Sequence, residues 1–537
     1  MQSNPSPVAP TAAPQPPIVA SRIRRMLQRA EAYAAAGHPR EAIAHLEGAL
    51  AVHPDLLEAL LSLAELQLKT DAYNEARATA FRALGATMDS PRSALRLIHL
   101  LAKLSESGVI LQMTRQAPPR VWDSAQSLAE IAHELTLFGG HAQAREFALA
   151  ALERDPAHPP SLFILATIEV FHGNLDAAAG YARRCLEFLP ADAGTHWLLS
   201  RLRLPDPASR IARLRALPTT GMAPDARAQV AYALHNELHD AGDYDAAWDA
   251  LEDACRTKRS TLKYQPGDAD RAFDALCRWS GDEIGIADGH ADDRVAPVFV
   301  IGLHRSGTTL AERILGNHSQ VTAAGETYDI RAALRRATGV YLADEFDLRA
   351  IEARHRLDYR ELGRGYLHGM AWRAGDSPVF TDKLPTNYMN VGFIARALPN
   401  ARFVHLVRDP VDVGLSSLRT LFSHAAPYSY DQLEFVQFWR GYRRLMDHWR
   451  ALLPGRILDV RYDDLVNDPV ATADAMAAFC GLAPEAGMSD IRGNQAAVST
   501  ASSVMMRDGI RRDRGGLWRR YERHLAPMID ALGGDAA

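Results

Sequence analysis

Small or apolar residues recur at a fixed spacing through the first half of the chain. In each copy they stand at offsets 0, 4 and 7, with a proline at offset 12 and a glycine five residues before the first of them. Residues three or four positions apart share one face of an α-helix, so each copy predicts helices that meet through small side chains. The glycines and prolines predict where these helices end. The three complete copies are Gly37, Ala42, Leu46, Ala49 and Pro54; Gly139, Ala144, Ala148, Ala151 and Pro156; and Gly173, Ala178, Ala182, Cys185 and Pro190.

A partial copy begins at Ala76, so the four starting residues are 34, 68 and 34 positions apart (42 to 76, 76 to 144 and 144 to 178). A last copy begins at Ala247, one residue out of frame, and the copy expected near residue 110 is degenerate. This period resembles the tetratricopeptide repeat (TPR). The resemblance implies an all-α solenoid over residues 21–262 that holds a peptide or partner protein on its concave face. The repeats could instead join two copies of the chain as a homodimer, or brace a neighbouring domain.

From residue 297 onward, short apolar runs alternate with longer helical segments. Such alternation predicts an open, mostly parallel α/β sheet, which binds ligands at the carboxyl ends of its strands. We expect this domain to span residues 297–532, after a polar connector over residues 263–296. The expected strands are 297–302, 378–382, 402–407 and 457–461, and the expected helices are 309–316, 390–398, 411–421 and 470–480.

Length and composition narrow the class of protein. A chain of 537 residues is too long for a single core, so two or more domains are expected. The net charge of −5 gives no overall attraction to nucleic acid or to an anionic membrane. The four cysteines lack the spacing of a metal site or a disulfide framework, which favours a reducing, cytoplasmic location.

The N-terminal 20 residues have a composition of their own. They include six prolines and lack the basic-then-apolar order of a signal peptide, so we expect a disordered tail over residues 1–20. No run of eighteen apolar residues occurs in the chain, so no membrane span is expected.

Residues 297–310 carry the strongest chemical signal. An apolar strand leads into a loop framed by Gly302 and Gly307, and two threonines open the next helix. The free N–H groups and the dipole of such a helix start bind anions. In an ATP-binding loop of this kind a lysine directly follows the second glycine. Here that residue is Thr308, and the cation is Arg305, ahead of the glycine, which argues against an ordinary kinase or ATPase.

The loop resembles the 5′-phosphosulfate loop of sulfotransferases that use 3′-phosphoadenosine 5′-phosphosulfate (PAPS), notably the tyrosylprotein sulfotransferase branch. The resemblance implies a P-loop-like α/β domain that needs no metal. It also implies a catalytic base at Glu326, because the family's glutamate likewise follows the loop arginine by 21 residues and precedes a threonine. Lys383, in Lys-Leu-Pro after a short strand, matches the family's second catalytic cation. The implied donor-binding residues of the loop are Arg305, Ser306, Gly307, Thr308 and Thr309, with Arg305 also catalytic.

The same resemblance implies a site for the 3′-phosphate of the donor. The family reads this phosphate with an arginine at the end of a strand and a serine eight residues later, which correspond to Arg408 and Ser416. Tyr462 lies in a segment similar to the family's Tyr-Glu-x-Leu-Val and is a candidate nucleotide contact or a core aromatic. Further candidates are Arg511 and Arg512, in a segment similar to the family's closing loop in which Asp513 replaces a glycine, and Ser502 or Ser503 as a weakly matched sulfate contact.

The expected activity is the transfer of a sulfuryl group from PAPS to a hydroxyl acceptor. A tyrosine or other hydroxyl on a protein or peptide is the favoured acceptor because of the repeats, and residues 419–430 are expected to border the acceptor cleft. Two alternatives remain: a TPR scaffold with a non-catalytic nucleotide-binding domain, and a P-loop kinase. The candidate residues Arg305, Glu326, Lys383, Arg408 and Ser416 are all present, which weighs against the scaffold.

Overall fold

The computed structural model describes residues 17–88, 90–117, 122–285, 296–342, 347–375, 377–422, 425–492, 509–510 and 515–533. The chain divides into two compact units. The first unit comprises residues 1–104 and 339–341, and the second comprises residues 105–338 and 342–537. Among the described residues no helix is both long and apolar enough to cross a membrane.

The first unit is built from antiparallel helices that pack through small residues. The repeated alanines at 42, 49, 76, 80 and 83 are all fully buried, as their helical spacing predicts. Gly37 has φ +79° in the turn after the first helix, a backbone conformation that residues other than glycine adopt at a cost in free energy. The hydroxyl of Tyr73 donates to the carbonyl oxygen of Leu104 at 2.8 Å. The helices are α1 (Pro17–Ala35), α2 (Pro39–Val52), α3 (Leu57–Lys69), α4 (Tyr73–Leu84) and α5 (Pro91–Lys103).

The second unit begins with further helices of the same kind, in agreement with the predicted repeats. Gly139 and Gly173 again adopt positive φ between paired helices, and the repeated alanines at 144, 148, 151, 178 and 182 are fully buried. Helices also cover the region near residue 110, where the small-residue pattern is lost. These helices are α6 (Ser107–Gln116), α7 (Ala125–Leu137), α8 (His141–Arg154), α9 (Pro159–His172), α10 (Leu175–Phe188), α11 (Ala193–Ser200), α12 (Pro207–Ala216), α13 (Pro224–Asp240) and α14 (Tyr244–Arg259).

The segment expected as a connector, residues 263–296, contains two helices, α15 (Pro266–Leu276) and α16 (Gly281–Ile284). Phe273, on α15, and Trp279, between the two helices, are almost fully buried against later helices of the same unit. Each ring packs against a glycine, Phe273 on Gly441 and Trp279 on Gly392, where a Cβ would come within 3 Å of the ring. Low hydrophobic periodicity in the sequence therefore hides a segment that packs as part of this unit.

A five-stranded parallel sheet of order β2-β3-β1-β4-β5 forms the centre of the second unit. The central strand β1 is buried on both faces. Val298 and Val300 pack on one side against helices, and Phe299 packs on the other at 5.7 Å from the ring of Phe403. The strands are β1 (Ala296–Gly302), β2 (Val321–Ala323), β3 (Val379–Asp382), β4 (Arg402–Val407) and β5 (Ile457–Arg461).

Helices cover both faces of the sheet, and the predicted fold class is confirmed. The expected strands 402–407 and 457–461 match the structure, and the other expected elements differ by one to three residues at one or both ends. The sequence did not indicate β2 or the helices at residues 329–338, 348–353, 359–374, 432–452, 462–467 and 526–532. The helices are α17 (Thr308–Leu315), α18 (Asp329–Thr338), α19 (Leu348–Ala353), α20 (Tyr359–Ala374), α21 (Val391–Ala397), α22 (Pro410–Leu418), α23 (Gln432–Leu452), α24 (Tyr462–Asn467), α25 (Pro469–Phe479) and α26 (Ala526–Leu532), with 3-10 turns at Arg354–Arg356, Pro385–Asn390, Pro427–Tyr430 and Leu517–His524.

We expect Gly441→Ala to destabilise the protein, because the added Cβ would lie 2.3 Å from Cδ2 of Phe273. Overpacking of this kind costs about 1–3 kcal/mol. Gly180→Ala, in α10, is the matched control, since no atom lies within 4 Å of the added Cβ. It is expected to stabilise its helix by about 0.5–1 kcal/mol. Urea unfolding of both variants measures these free energies, and equal midpoints would contradict the packing argument.

Candidate functional site

The loop that joins β1 to α17 follows a path that only glycine permits at its two ends. Gly302 has φ +151°, and a Cβ there would lie 2.9 Å from the carbonyl oxygen of Leu406 on β4. Gly307 has φ +111°, and a Cβ there would lie 2.6 Å from Cδ2 of Tyr462. These close approaches fix the loop against two neighbouring elements.

The loop presents the features of an anion cradle. It runs directly into the N-terminus of α17, where Thr308 and Thr309 are both buried. A helix start carries partial positive charge and free N–H donors. The hydroxyl of Ser306 is buried and has no hydrogen-bond partner among the described residues. A buried hydroxyl of this kind fits a site that receives a polar ligand.

Three of the predicted phosphate-binding residues lie together beside this loop. The Nε atom of Arg305 donates to Oγ of Ser416 at 3.0 Å. Arg408 Nη1 donates to the carbonyl oxygen of Arg305 at 3.2 Å, and the guanidinium of Arg408 lies 4.1 Å from the centre of the Tyr462 ring. Arg305 itself has φ +72°, an uncommon conformation for a residue with a side chain. Burial, and then the charge of Arg408, lower the pKa of Arg305 to about 10.

Glu326 and Lys383 form an ion pair at the end of β3. The distance between Lys383 Nζ and Glu326 Oε1 is 2.6 Å; the lysine side chain is fully buried, and the carboxylate is 34% exposed. The backbone N–H of Lys383 also donates to the carbonyl oxygen of Gly325 at 2.9 Å. Because β3 pairs with β1, this ion pair and the anion cradle lie at the carboxyl ends of adjacent strands.

Two buried carboxyl groups lie next to Lys383. Asp382, its neighbour in sequence, accepts hydrogen bonds from Thr327, Tyr366 and Asn387 at 2.9, 3.1 and 3.2 Å. Burial nevertheless raises the pKa of Asp382 to about 7. Burial also raises the pKa of Glu312, and the charge of Lys383 is the largest of the effects that lower it. Asn387 therefore contacts this layer of buried carboxyl groups through Asp382.

His304 belongs to the same site, although the sequence analysis did not select it. Its ring lies 5.2 Å from that of Phe422, and its Nδ1 lies 3.5 Å from the hydroxyl of Tyr428. Burial lowers the pKa of His304 to about 4, so the ring is neutral at pH 7; the nearby charges of Glu326 and Lys383 have opposite effects on it. The only signal available in the sequence was its position directly before Arg305.

Four of the predicted contacts lie outside the described residues: Arg511, Arg512, Ser502 and Ser503. The chain that follows Arg511 and Arg512 contacts helix α22, since the backbone N–H of Gly516 donates to Oδ2 of Asp412 at 3.0 Å. Asp412 in turn lies 3.8 Å from Nη2 of Arg408.

The arrangement fits a ligand with several anionic groups. It combines a glycine-framed loop, a helix start, a buried hydroxyl and three cations, Arg305, Lys383 and Arg408. The described residues contain no cluster of three or more His, Cys, Asp or Glu side chains that could hold a metal ion. Oxyanions of phosphate or sulfate suit this donor set, and planar guanidinium groups can bind them through two oxygens at once.

Two family models match the chain. The sulfotransferase family model matches residues 297–485, and a tetratricopeptide-repeat model matches residues 33–104. The C-terminal part of the chain is a sulfotransferase-family domain. This domain contains the loop, the Lys383–Glu326 ion pair and helix α22, which carries Ser416.

Among curated relatives, a protein of Aquifex aeolicus (strain VF5) named "Uncharacterized protein" is 28% identical over 405 residues, which cover 73% of this chain and 52% of the relative. The omega-hydroxy-beta-dihydromenaquinone-9 sulfotransferase Stf3 of Mycobacterium tuberculosis (strain CDC 1551 / Oshkosh) is 33% identical over 98 residues, which cover 16% of this chain and 24% of Stf3. The chain therefore spans about half of the first relative and about a quarter of the second.

Two solved structures are similar to parts of the chain. The sulfotransferase domain from the curacin biosynthetic pathway is 18% identical, with a TM-score of 0.30, and the match covers 44% of this chain and 99% of that domain. YrrB, a TPR protein with an unusual peptide-binding site, is 15% identical, with a TM-score of 0.27, and the match covers 33% of this chain and 95% of YrrB.

The raised pKa of Asp382 predicts a change of stability with pH. A carboxyl whose pKa rises from 3.8 to about 7 on folding contributes stability that is fully present below about pH 4 and is lost as the pH rises through about 7. Asp382→Asn removes this titration. The unfolding free energy of the variant, relative to the native protein, is therefore expected to rise between pH 4 and pH 7. Urea unfolding at several pH values measures this difference, and parallel curves would contradict the assignment.

Proposed function

We propose that this chain is a PAPS-dependent sulfotransferase that transfers a sulfuryl group to a hydroxyl acceptor. The observation that carries the proposal is the Lys383–Glu326 ion pair beside a phosphate loop that has an arginine in place of the ATP-type lysine. A carboxylate and a buried cation within 2.6 Å supply a proton acceptor and a charge-neutralising group at one point.

The donor would be held by the loop and by helix α22, which we call the donor helix. The 5′-phosphosulfate would be held by the N–H groups of the loop and by Ser306, Thr308 and Thr309, since these lie at or just before the start of α17. Arg408 and Ser416 would hold the 3′-phosphate, with Tyr462 beneath the arginine. Arg511 and Arg512, which lie outside the described residues, would bind the same 3′-phosphate, following the family resemblance.

The chain's own residues account for the proton and the charge of the reaction. Glu326 accepts the proton of the acceptor hydroxyl as that oxygen forms its bond to sulfur. Lys383 donates to the bridging oxygen, which leaves on 3′-phosphoadenosine 5′-phosphate with the electron pair of the broken S–O bond. Arg305 stabilises the negative charge of the sulfuryl oxygens. Position and electrostatics thus supply the catalysis, as in phosphoryl transfer.

The acceptor that we propose is a hydroxyl of a protein or peptide, with tyrosine favoured. His304 and Phe422 place aromatic surface beside Glu326, and Phe422 belongs to the segment 419–430 that we expected to border the acceptor cleft. The repeats would recruit such a partner through their concave face, or join two copies of the chain. We also propose a cytoplasmic location, because all four cysteines are free thiols.

Glu326→Ala is expected to retain binding of 3′-phosphoadenosine 5′-phosphate, because the phosphate-binding residues are unchanged. Turnover is expected to fall by a factor of about 10²–10⁴, because the proton acceptor is removed together with the ion-pair partner of Lys383. Calorimetric titration measures the binding, and transfer of labelled sulfate from PAPS to a phenol or tyrosyl peptide measures the turnover. Glu146→Ala, at an exposed position on α8, is the control and should be unaffected. Full turnover by Glu326→Ala would show that Glu326 is not the proton acceptor.

Arg408→Ala is expected to weaken binding of 3′-phosphoadenosine 5′-phosphate about tenfold or more, because a charge-assisted contact to phosphate is lost. The native protein should bind this bisphosphate without Mg²⁺ and in preference to ATP, which isothermal titration with and without Mg²⁺ measures. Preference for Mg-ATP would favour a kinase. Binding of neither nucleotide would favour a scaffold with a non-catalytic domain.

A further inference from the structure

The repeat helices touch the donor helix α22 at the point where it ends. The hydroxyl of Tyr232, on α13, donates to the carbonyl oxygen of Leu418 at 2.9 Å. The thiol of Cys255, on α14, donates to the same oxygen at 3.4 Å. The last carbonyl groups of a helix lack partners within the helix, so these two side chains supply what the end of α22 requires. Residues of the repeats therefore hold the element that carries Ser416.

A second contact fixes the next residue, Arg419. Its Nε atom donates to Nε2 of His235, on α13, at 2.9 Å. On the other side of the ring, Nδ1 lies 2.7 Å from the carbonyl oxygen of Ala247, which can only accept. Nδ1 therefore carries the proton, and Nε2 offers its lone pair to the arginine. Burial, and then the charge of Arg419, lower the pKa of His235 to about 3, so the ring is neutral.

Arg419 is thus a half-buried cation whose hydrogen bond, among the described residues, goes to a neutral ring. Further positive charge surrounds it: Arg203 and Arg520 act on it electrostatically, and its own charge is felt at Arg305. Asp240 is the carboxylate that opposes them. Tyr521 opposes them as well. A cluster in which the cations outnumber the carboxylates is costly unless an anion is bound there. The surroundings of Arg419 therefore suit an anionic ligand.

The position of Arg419 identifies that ligand. Arg419 comes three residues after Ser416 at the end of α22, so the two side chains lie on neighbouring positions of one face. A long side chain at such a position reaches back over the preceding turn. Ser416 also receives the Nε donor of Arg305. Arg419 thus lies one helical turn after Ser416, the residue that the proposed function assigns to the 3′-phosphate, and its charge is felt at Arg305.

We propose that Arg419 is a further ligand of the donor's 3′-phosphate, and that His235 of the repeat helices is the residue that positions it. The inference rests on the proposed function and assigns the repeats a part in donor binding, besides any partner that they recruit.

The test compares two nucleotides that differ only in the 3′-phosphate. The full-length protein and its Arg419→Gln variant are titrated with 3′-phosphoadenosine 5′-phosphate and with adenosine 5′-monophosphate. The variant is expected to bind the bisphosphate about tenfold or more weakly, and the monophosphate within about twofold of the native protein. An equal loss for both nucleotides would mean a structural role and would overturn the inference. Unchanged binding with a raised KM for the acceptor would also overturn it and place Arg419 in the acceptor site.

Variants of His235 test the positioning role. His235→Leu removes the acceptor for Arg419 Nε and should reproduce the selective loss of bisphosphate affinity. His235→Gln keeps an acceptor oxygen and should recover most of the affinity for the bisphosphate. Equal affinities of the two variants would show that His235 does not position Arg419. Arg256→Gln, in the exposed pair with Asp253 on α14, is the control for loss of an arginine from the repeats. If the native protein binds no bisphosphate, the proposed function fails and this inference fails with it.

Discussion

The close approach of the loop backbone to its neighbours is the constraint on which the rest of the site depends. At Gly302 the chain passes so close to the carbonyl oxygen of Leu406 that a Cβ would lie 2.9 Å from it, and at Gly307 it passes equally close to the ring of Tyr462. These contacts hold the turn between β1 and α17 in one path. That path places Arg305 against Ser416 and points the start of α17 toward the carboxyl edge of the sheet.

A second feature, the burial of Lys383, follows from the acids beside it. The charge of a lysine whose side chain has no exposed surface is costly to bury unless negative charge lies nearby. Glu326 supplies that charge in direct contact, and the carboxyl of Glu312 supplies more from the interior. The cation is therefore held ready in a position from which water is largely excluded, and a compact charge acts most strongly in such a place.

Features set by neighbouring residues could be predicted from the sequence. The repeats follow from residues three, four and seven positions apart, and the phosphate loop follows from a glycine frame of six residues, because both are local geometry. Contacts between distant parts of the chain could not be predicted in this way. The ring of Phe273 fits Gly441 across 168 residues of sequence (441 − 273), and His235 meets Arg419 across 184.

The same reason explains why some residues of the site were missed. His304, Glu312 and Asp382 belong to no recurring pattern, and their roles depend on which side chains surround them after folding. The pairing of Arg305 with Ser416 was anticipated only as membership of one site, since the family resemblance supplies the residues but not their contacts. Charge and burial at these positions are properties of the packed molecule.

The carbonyl oxygen of Leu418 receives two donors from the repeat helices, Tyr232 and Cys255. A recombination event that joined this sulfotransferase domain to an unrelated set of helices would leave that helix end without its partners. A boundary directly before residue 297, where the sulfotransferase match begins, is therefore a poor place for exchange of parts. For this chain, the unit that can be inherited intact reaches back into the repeats, and α13 and α14 must change in step with the domain that follows them.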